Sequence, residues 1–274
     1  MLGILLSALL LLSCASAPLT GRTQFLLISE EEAIQVSEPA YFEMLKEPAE
    51  AGKIDNDPRL KARVEAITGR IIAQAITLRP ESADWKWSIH VIDDPETVNA
   101  WAMAGGRMAL YSGLVEKIRP SDDELAQVLG HEIAHALAKH TAEKMSVALA
   151  SDLAVTAVAA SQKNSGLALA GASLAAALAV KLPNSRTAES EADRIGIELA
   201  ARAGYDPRAA VTLWEKMNEV GGGNTSLELL STHPAPQTRI ENLRELAPQM
   251  LPYYEKKGDR PVYRFKPEAE RLGG

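Results

Sequence analysis

The sequence predicts an α+β domain, mainly α-helical, with a small β-sheet beside one helix that carries a pair of histidines. Three observations point there. Apolar residues recur at helical spacing, as Leu60, Val64, Ile67, Ile71, Ile72 and Ala75 in one segment and Leu125, Val128, Leu129, Ile133, Ala136 and Leu137 in another. Strand-like alternation is confined to residues 87–111. The composition is globular, with 46% hydrophobic and 24% charged residues in a chain of 274.

The elements follow in order. Ser29 followed by Glu30, Glu31 and Glu32 starts a helix that runs to about Leu45, since acids suit the positive end of a helix dipole. Asp57-Pro58 starts a second helix that ends near Arg79-Pro80. Residues 87–92 alternate and read as a strand, turned by Asp93-Asp94-Pro95. Residues 98–103 and 107–111 flank Gly105-Gly106 and read as paired strands leading directly into the histidine helix. Ser121 with Glu124 three residues on is a capping box that starts this helix.

Residues 145–180 are rich in Ala, Leu and Ser and read as two small-residue helices in a hairpin. Their serines and Asp152 favour a packed or lid-like element over a membrane hairpin. Asn184-Ser185 caps a helix through Ala203, stopped by Gly204. Asp206-Pro207 starts the next, residues 221–224 form a glycine-rich break, and residues 236–247 make a final helix. No repeat or composition shift marks a second domain, so residues 29–274 read as one domain.

Residues 1–12 are almost entirely apolar but too few to span a bilayer, which suits a signal-peptide core. The only cysteine, Cys14, follows Leu11-Leu12-Ser13 as in a bacterial lipobox. Residues 1–13 are therefore expected to be a signal peptide, Cys14 a lipid anchor to a membrane, and residues 14–28 a tether. Cleavage after Ala17 would instead give a soluble secreted protein. Alanine after Cys14 leans toward an outer-membrane lipoprotein facing the periplasm. The net charge of −7 and the lack of a dense basic cluster argue against a nucleic-acid partner.

The chemistry sits in His131-Glu132-Ile133-Ala134-His135. On a helix, residues four apart leave the same face, so both imidazoles can bind one divalent zinc ion. Glu132 then projects beside the metal as a base for hydrolysis. A catalytic zinc needs a third protein ligand and an open position. Candidates are His90, His140 and His233, or a distant glutamate. His140 lies five residues past His135 and is expected off the metal face, and His90 is expected to be structural. Along residues 185–196, Glu189 and Asp193 share a face, whereas Glu191 is expected to point elsewhere.

The His131–His135 motif, the E-x-E-A-D-R-x-G run from Glu189 to Gly196, Asn99-Ala100-Trp101 with Gly105-Gly106, and Ser231-Thr232-His233-Pro234 with Arg239 together resemble the HtpX-like zinc metallopeptidases. That family includes the CAAX prenyl proteases and a mitochondrial inner-membrane stress protease. The chain looks most similar to periplasmic lipoprotein members of the LoiP and BepA type, over about residues 20–247. Neither the C-terminal helical repeats of the latter nor the multiple spans of HtpX itself are expected from these residues, so functions tied to those parts are not carried over.

The resemblance implies a gluzincin-type fold and one zinc ion per chain, held by His131, His135 and Glu189. It implies Glu132 as general base and Asp193 as an acid orienting His131 or His135. It makes His233 a histidine that can approach the metal and Arg239 an arginine near the site, both candidates to stabilise the oxyanion, and makes Asn99, Ala100 and Trp101 the strand that aligns an extended protein or peptide substrate. The activity expected is zinc-dependent endopeptidase cleavage of misfolded envelope proteins. The alternatives are a zinc-bound, chaperone-like outer-membrane assembly factor with a closed site, and a non-catalytic protein holding zinc structurally. Glu132 speaks against the last, because structural zinc needs no adjacent base.

Overall fold

The computed structural model describes residues 14–159, 184–221, 227–233 and 237–266. The expected signal segment, the glycine-rich break and the second half of the Ala-rich hairpin lie mainly outside these residues.

A short antiparallel hairpin, β1 (Cys14–Ser16) and β2 (Thr23–Phe25), comes first. Helix α1 (Glu30–Glu50) begins in a capping box between Ser29 and Glu32. Helix α2 (Pro58–Leu78) is capped by Asp57, with proline in its first turn. A short 3-10 turn (Pro80–Asp84) leads into the sheet strands β3 (Ser88–Ile92), β4 (Ala100–Ala102) and β5 (Arg107–Tyr111). Then come α3 (Ser112–Ile118), α4 (Asp122–Leu137), α5 (His140–Ala159), α6 (Arg186–Ala203), α7 (Ala209–Gly221), α8 (Glu228–Thr232) and α9 (Gln237–Tyr254).

The fold is α+β and mostly helical, as expected. The sheet order is β3-β5-β4, with β3 parallel and β4 antiparallel to β5. Among the described residues β4 is therefore an edge strand, and it runs beside α4. Tyr41 of α1 locks the sheet from the other side, donating to the Met108 carbonyl at 2.9 Å and meeting Trp101 edge to face. Leu125, Leu129 and Ile133 of α4 are fully buried, which makes α4 the central helix of the core.

Several boundaries move. Helix α1 runs through Pro39 and Pro48 to Glu50, and α9 runs through Pro248 and Pro252 to Tyr254. Proline removes one donor from a helix, and in α1 the burial of Tyr41 and Leu45 against the sheet offsets that loss. Helices α3 and α8 are too short to show a period in the sequence. Residues 14–28, expected as a tether, instead pack onto the domain. Gln24 is buried and donates to the Ala138 carbonyl at 2.7 Å, and the Leu27 and Ile28 amides donate to Ser146 Oγ. Among the described residues no helix is long and apolar enough to cross a membrane.

The contact that matters most is α4 against α6. The two helices cross at Gly130 and Gly196. A Cβ on Gly196 would lie 2.8 Å from the His131 amide nitrogen, and one on Gly130 would lie 2.8 Å from the Gly196 carbonyl oxygen. Backbone meets backbone there, so no side chain can yield. Gly196→Ala is expected to push α6 off α4, cost about 1–3 kcal/mol by overpacking, and weaken metal binding. Thermal melting and zinc content of the variant check this. An unchanged melting temperature would remove the close crossing as the reason for this glycine.

Candidate metal centre

His131 and His135 leave the same face of α4, with ring centroids 4.6 Å apart and their Nε2 atoms separated by 3.0 Å. Helix α6 crosses at Gly196 and so delivers its first two turns to this face. Glu189 Oε2 lies 3.4 Å from His131 Nε2, and Glu189 Oε1 lies 3.3 Å from His135 Nε2. From the turn after α8, His233 Nδ1 stands 3.2 Å from His131 Nε2 and 3.0 Å from Glu189 Oε1. One ligand atom from each of His131, His135, Glu189 and His233 falls within 4.8 Å of the others, and all four residues are buried.

This donor set fits zinc. Three imidazole nitrogens and one carboxylate oxygen are its usual ligands. Four buried donors converge on one point, with imidazole nitrogens 3.0 and 3.2 Å apart, a spacing that one cation between them can bridge. Glu132 is buried beside the cluster, with Oε1 lacking a hydrogen-bond partner and His233 Nε2 at 3.5 Å. Burial raises the Glu132 pKa above the usual carboxylate range.

The surrounding charges are arranged for this cluster. His131 Nδ1 lies 3.0 Å from Asp193 Oδ1. Arg239 grips the same carboxylate through Nε at 2.7 Å and Nη2 at 2.6 Å, and its Nη1 lies 2.8 Å from Glu189 Oε2. Its guanidinium stacks 3.8 Å above the Trp214 ring. Burial and Arg239 pull the His131 pKa down, but Glu189 and Asp193 outweigh them and hold it at about 9 in the metal-free chain. Burial would raise Glu189, yet the histidines around it hold it far below the usual carboxylate range.

All seven expected site residues on α4, α6, the His233 turn and α9 converge here. Asn99 lies just before β4, and its carbonyl accepts from the Tyr111 amide at 3.0 Å. Trp101 and Ala102 line a cleft with Glu132, Lys144 and His233. Ala100 faces the core instead. His90 lies outside the centre, paired with Asp55 at 2.6 Å.

Three residues escape sequence reasoning. Asn184, legible only as part of a helix cap, approaches His233 Nδ1 at 3.2 Å. His140 lies outside the four-residue cluster but returns to its far side, where its Nδ1 lies 2.7 Å from His135 Nδ1. Glu191 points away from the four-residue cluster and meets His140 Nε2 at 3.0 Å, a contact that spacing along one helix does not show. The cause is a reversal between α4 and α5. Lys139 adopts φ 60°, so α4 stops at Leu137 and His140 opens a new helix that folds back. No glycine marks this break, and a continuous helix would have carried His140 away.

A family model described as "Peptidase family M48" matches residues 58–247. The mitochondrial metalloendopeptidase OMA1 of Bos taurus is 36% identical over 245 residues, covering 86% of this chain and 46% of its own length. Its Saccharomyces cerevisiae counterpart is 31% identical over 254 residues, covering 87% of this chain and 70% of its own length. The β-barrel assembly-enhancing protease of Escherichia coli is 31% identical over 207 residues, covering 72% of this chain and 41% of its own length. The chain thus spans about half the length of most of these relatives. The expectation of a periplasm-facing or secreted protein of the bacterial envelope does not stand. The proteins matched at up to 36% identity over most of the chain are mitochondrial, ahead of the bacterial assembly-enhancing protease. The LoiP-type placement has no support beyond the bacterial assembly-enhancing relatives.

Proposed function

The chain belongs to peptidase family M48, whose members are zinc metallopeptidases, and on that premise we propose that it is a zinc-dependent endopeptidase acting on locally unfolded protein chains. The observation that carries the reading is the buried cluster of His131, His135, Glu189 and His233 with the Glu132 carboxylate beside it, whose Oε1 has no hydrogen-bond partner.

His131, His135 and Glu189 would hold the ion, and His233 stands where a fourth ligand or the substrate carbonyl would come. Bound there, zinc supplies a water of lowered pKa and polarises the scissile carbonyl. Glu132 accepts the proton of the attacking water and returns it to the leaving amine. Asp193 accepts from His131 Nδ1 and so leaves Nε2 bare for the metal. Arg239 is committed to Asp193 and Glu189, so its part is to hold those carboxylates in place rather than to meet an oxyanion. With Arg239 so committed, only His233 is left to meet the carbonyl oxygen if it does not gate the site.

Strand β4 supports the substrate class. An edge strand can take an extended peptide as one more strand, reading backbone rather than side chains. A segment must be extended and free of its own pairing to add in this way, which suits stretches of misfolded proteins. Trp101 and Ala102 line the cleft that joins this edge to Glu132.

The proximity of His233 to the other ligands supports a gated resting site. The test uses the full chain, wild type and His233→Ala, with unfolded casein, with and without a zinc chelator. Cleavage is expected from wild type, to be abolished by the chelator and restored by zinc, and to rise in His233→Ala. Loss of cleavage in His233→Ala alone would make His233 part of the chemistry instead of a gate. No cleavage by either protein would favour a zinc-bound assembly factor with a closed site.

A further inference from the structure

The two helix histidines are oriented by different means. His131 meets a carboxylate directly, whereas His135 Nδ1 meets another imidazole, that of His140. His140 is almost fully buried, and its Nε2 faces Glu191 Oε2 at 3.0 Å. A carboxylate only accepts, so His140 carries its proton on Nε2 and presents a bare Nδ1. That bare nitrogen can only accept, so His135 must carry its proton on Nδ1. His135 Nε2 is then bare and turned toward His131 and Glu189. A carboxylate two links away thus dictates which nitrogen His135 offers to a metal.

Glu191 is itself held from an unexpected place. Arg22 Nε donates to Glu191 Oε2 at 2.7 Å, and Thr20 Oγ1 donates to Oε1. The other arms of Arg22 reach Glu143 at 2.8 and 2.6 Å. Gln24 donates both to Glu143 and to the Ala138 carbonyl, at the reversal that sets His140. Thr20 and Arg22 lie in the turn of the β1–β2 hairpin, and Arg22 bridges α5 and α6.

We propose that His140 and Glu191, clamped by Thr20 and Arg22, are positioning residues for the metal ligand His135. The N-terminal hairpin is then a working part of the metal centre and not a lead-in to it. This rests on the reading of His131, His135 and Glu189 as the zinc ligands.

The test measures zinc affinity by chelator competition, the visible spectrum of the cobalt-substituted protein, and melting of the metal-free chain. The full-length variants are Glu191→Gln, Arg22→Ala, Arg22→Lys and, as control, Glu189→Gln. Glu191→Gln can donate to His140 Nε2 and so reverse the proton order along the relay. It is expected to weaken zinc roughly 10–100-fold and to shift the cobalt bands. Arg22→Ala is expected to do the same to a smaller degree, with partial rescue by Arg22→Lys, which restores the charge but not the fork. Should Glu191→Gln fail to fold, Arg22→Ala decides, because Arg22 is partly exposed. Lowered melting with wild-type zinc affinity and an unchanged cobalt spectrum would overturn the proposal. If Glu189→Gln also keeps wild-type affinity, the ligand assignment itself fails and the relay falls with it.

Discussion

Glu132→Gln is expected to keep zinc at the wild-type level and to lower casein cleavage by about 100- to 10,000-fold, the usual contribution of a positioned acid–base group. The substitution preserves shape and removes only the ability to hold and release a proton. Glu132 is buried beside the ligand cluster, and its Oε1 has no hydrogen-bond partner, so little structure depends on its charge. Burial raises its pKa in the folded chain, so its ionised form costs stability at neutral pH. The neutral glutamine removes that cost, and the metal-free variant is expected to melt no lower than wild type at pH 7. Metal content, melting and casein turnover on the same preparation check all three parts. A variant that cleaves at the wild-type rate would remove Glu132 as the base.

Glu189→Gln is expected to do the opposite, losing the metal first and activity in consequence. The carboxylate is surrounded by His131, His135 and His233 and sits 2.8 Å from Arg239 Nη1. Its loss is expected to weaken zinc by more than the roughly 10–100-fold that removing an outer hydrogen-bond partner costs. It also removes one of the two carboxylates facing buried Arg239, which keeps Asp193 as counter-charge, so the metal-free fold is expected to lose less than the roughly 3–5 kcal/mol of a fully broken buried pair.

The pH dependence carries a second signature. His131 is held at about 9 in the folded metal-free chain, above its ordinary 6.5, against burial and Arg239, by Glu189 and Asp193. Its charged form therefore stabilises the metal-free fold fully below about pH 6.5, and that contribution fades as pH rises through 9. Zinc must displace this proton, so wild-type affinity is expected to climb with pH up to about 9. In Glu189→Gln the climb should end at lower pH. Zinc titrations at several pH values read both effects. A variant with wild-type affinity and pH profile would exclude Glu189 as a ligand.

Much of the fold could be read from the chain because it is written in local chemistry. The capping boxes at Ser29 and Ser121 and the stop at Gly204 mark helix ends through side-chain and backbone bonds within a few residues. The spacing of His131 and His135, and of Glu189 and Asp193, follows from helical geometry alone. What escaped depends on elements far apart in sequence. The run of α1 through Pro39 depends on the burial of Tyr41 and Leu45 against the sheet. The packing of residues 14–28 depends on partners at Ala138, Glu143, Ser146 and Glu191.

The sequence by itself determined the two histidines on one helix face, the carboxylate beside them and the helices that carry them, because four-residue spacing on a helix is a local property. The tertiary structure alone decided how those pieces meet. The Gly130–Gly196 crossing brings Glu189 to the histidines, since only two bare backbones can approach so closely. The left-handed turn at Lys139 returns His140 to His135. The hairpin's Arg22 closes the far end of that contact on Glu191. Each is a long-range packing outcome, and neither periodicity nor capping along a single helix encodes the distance between two helices.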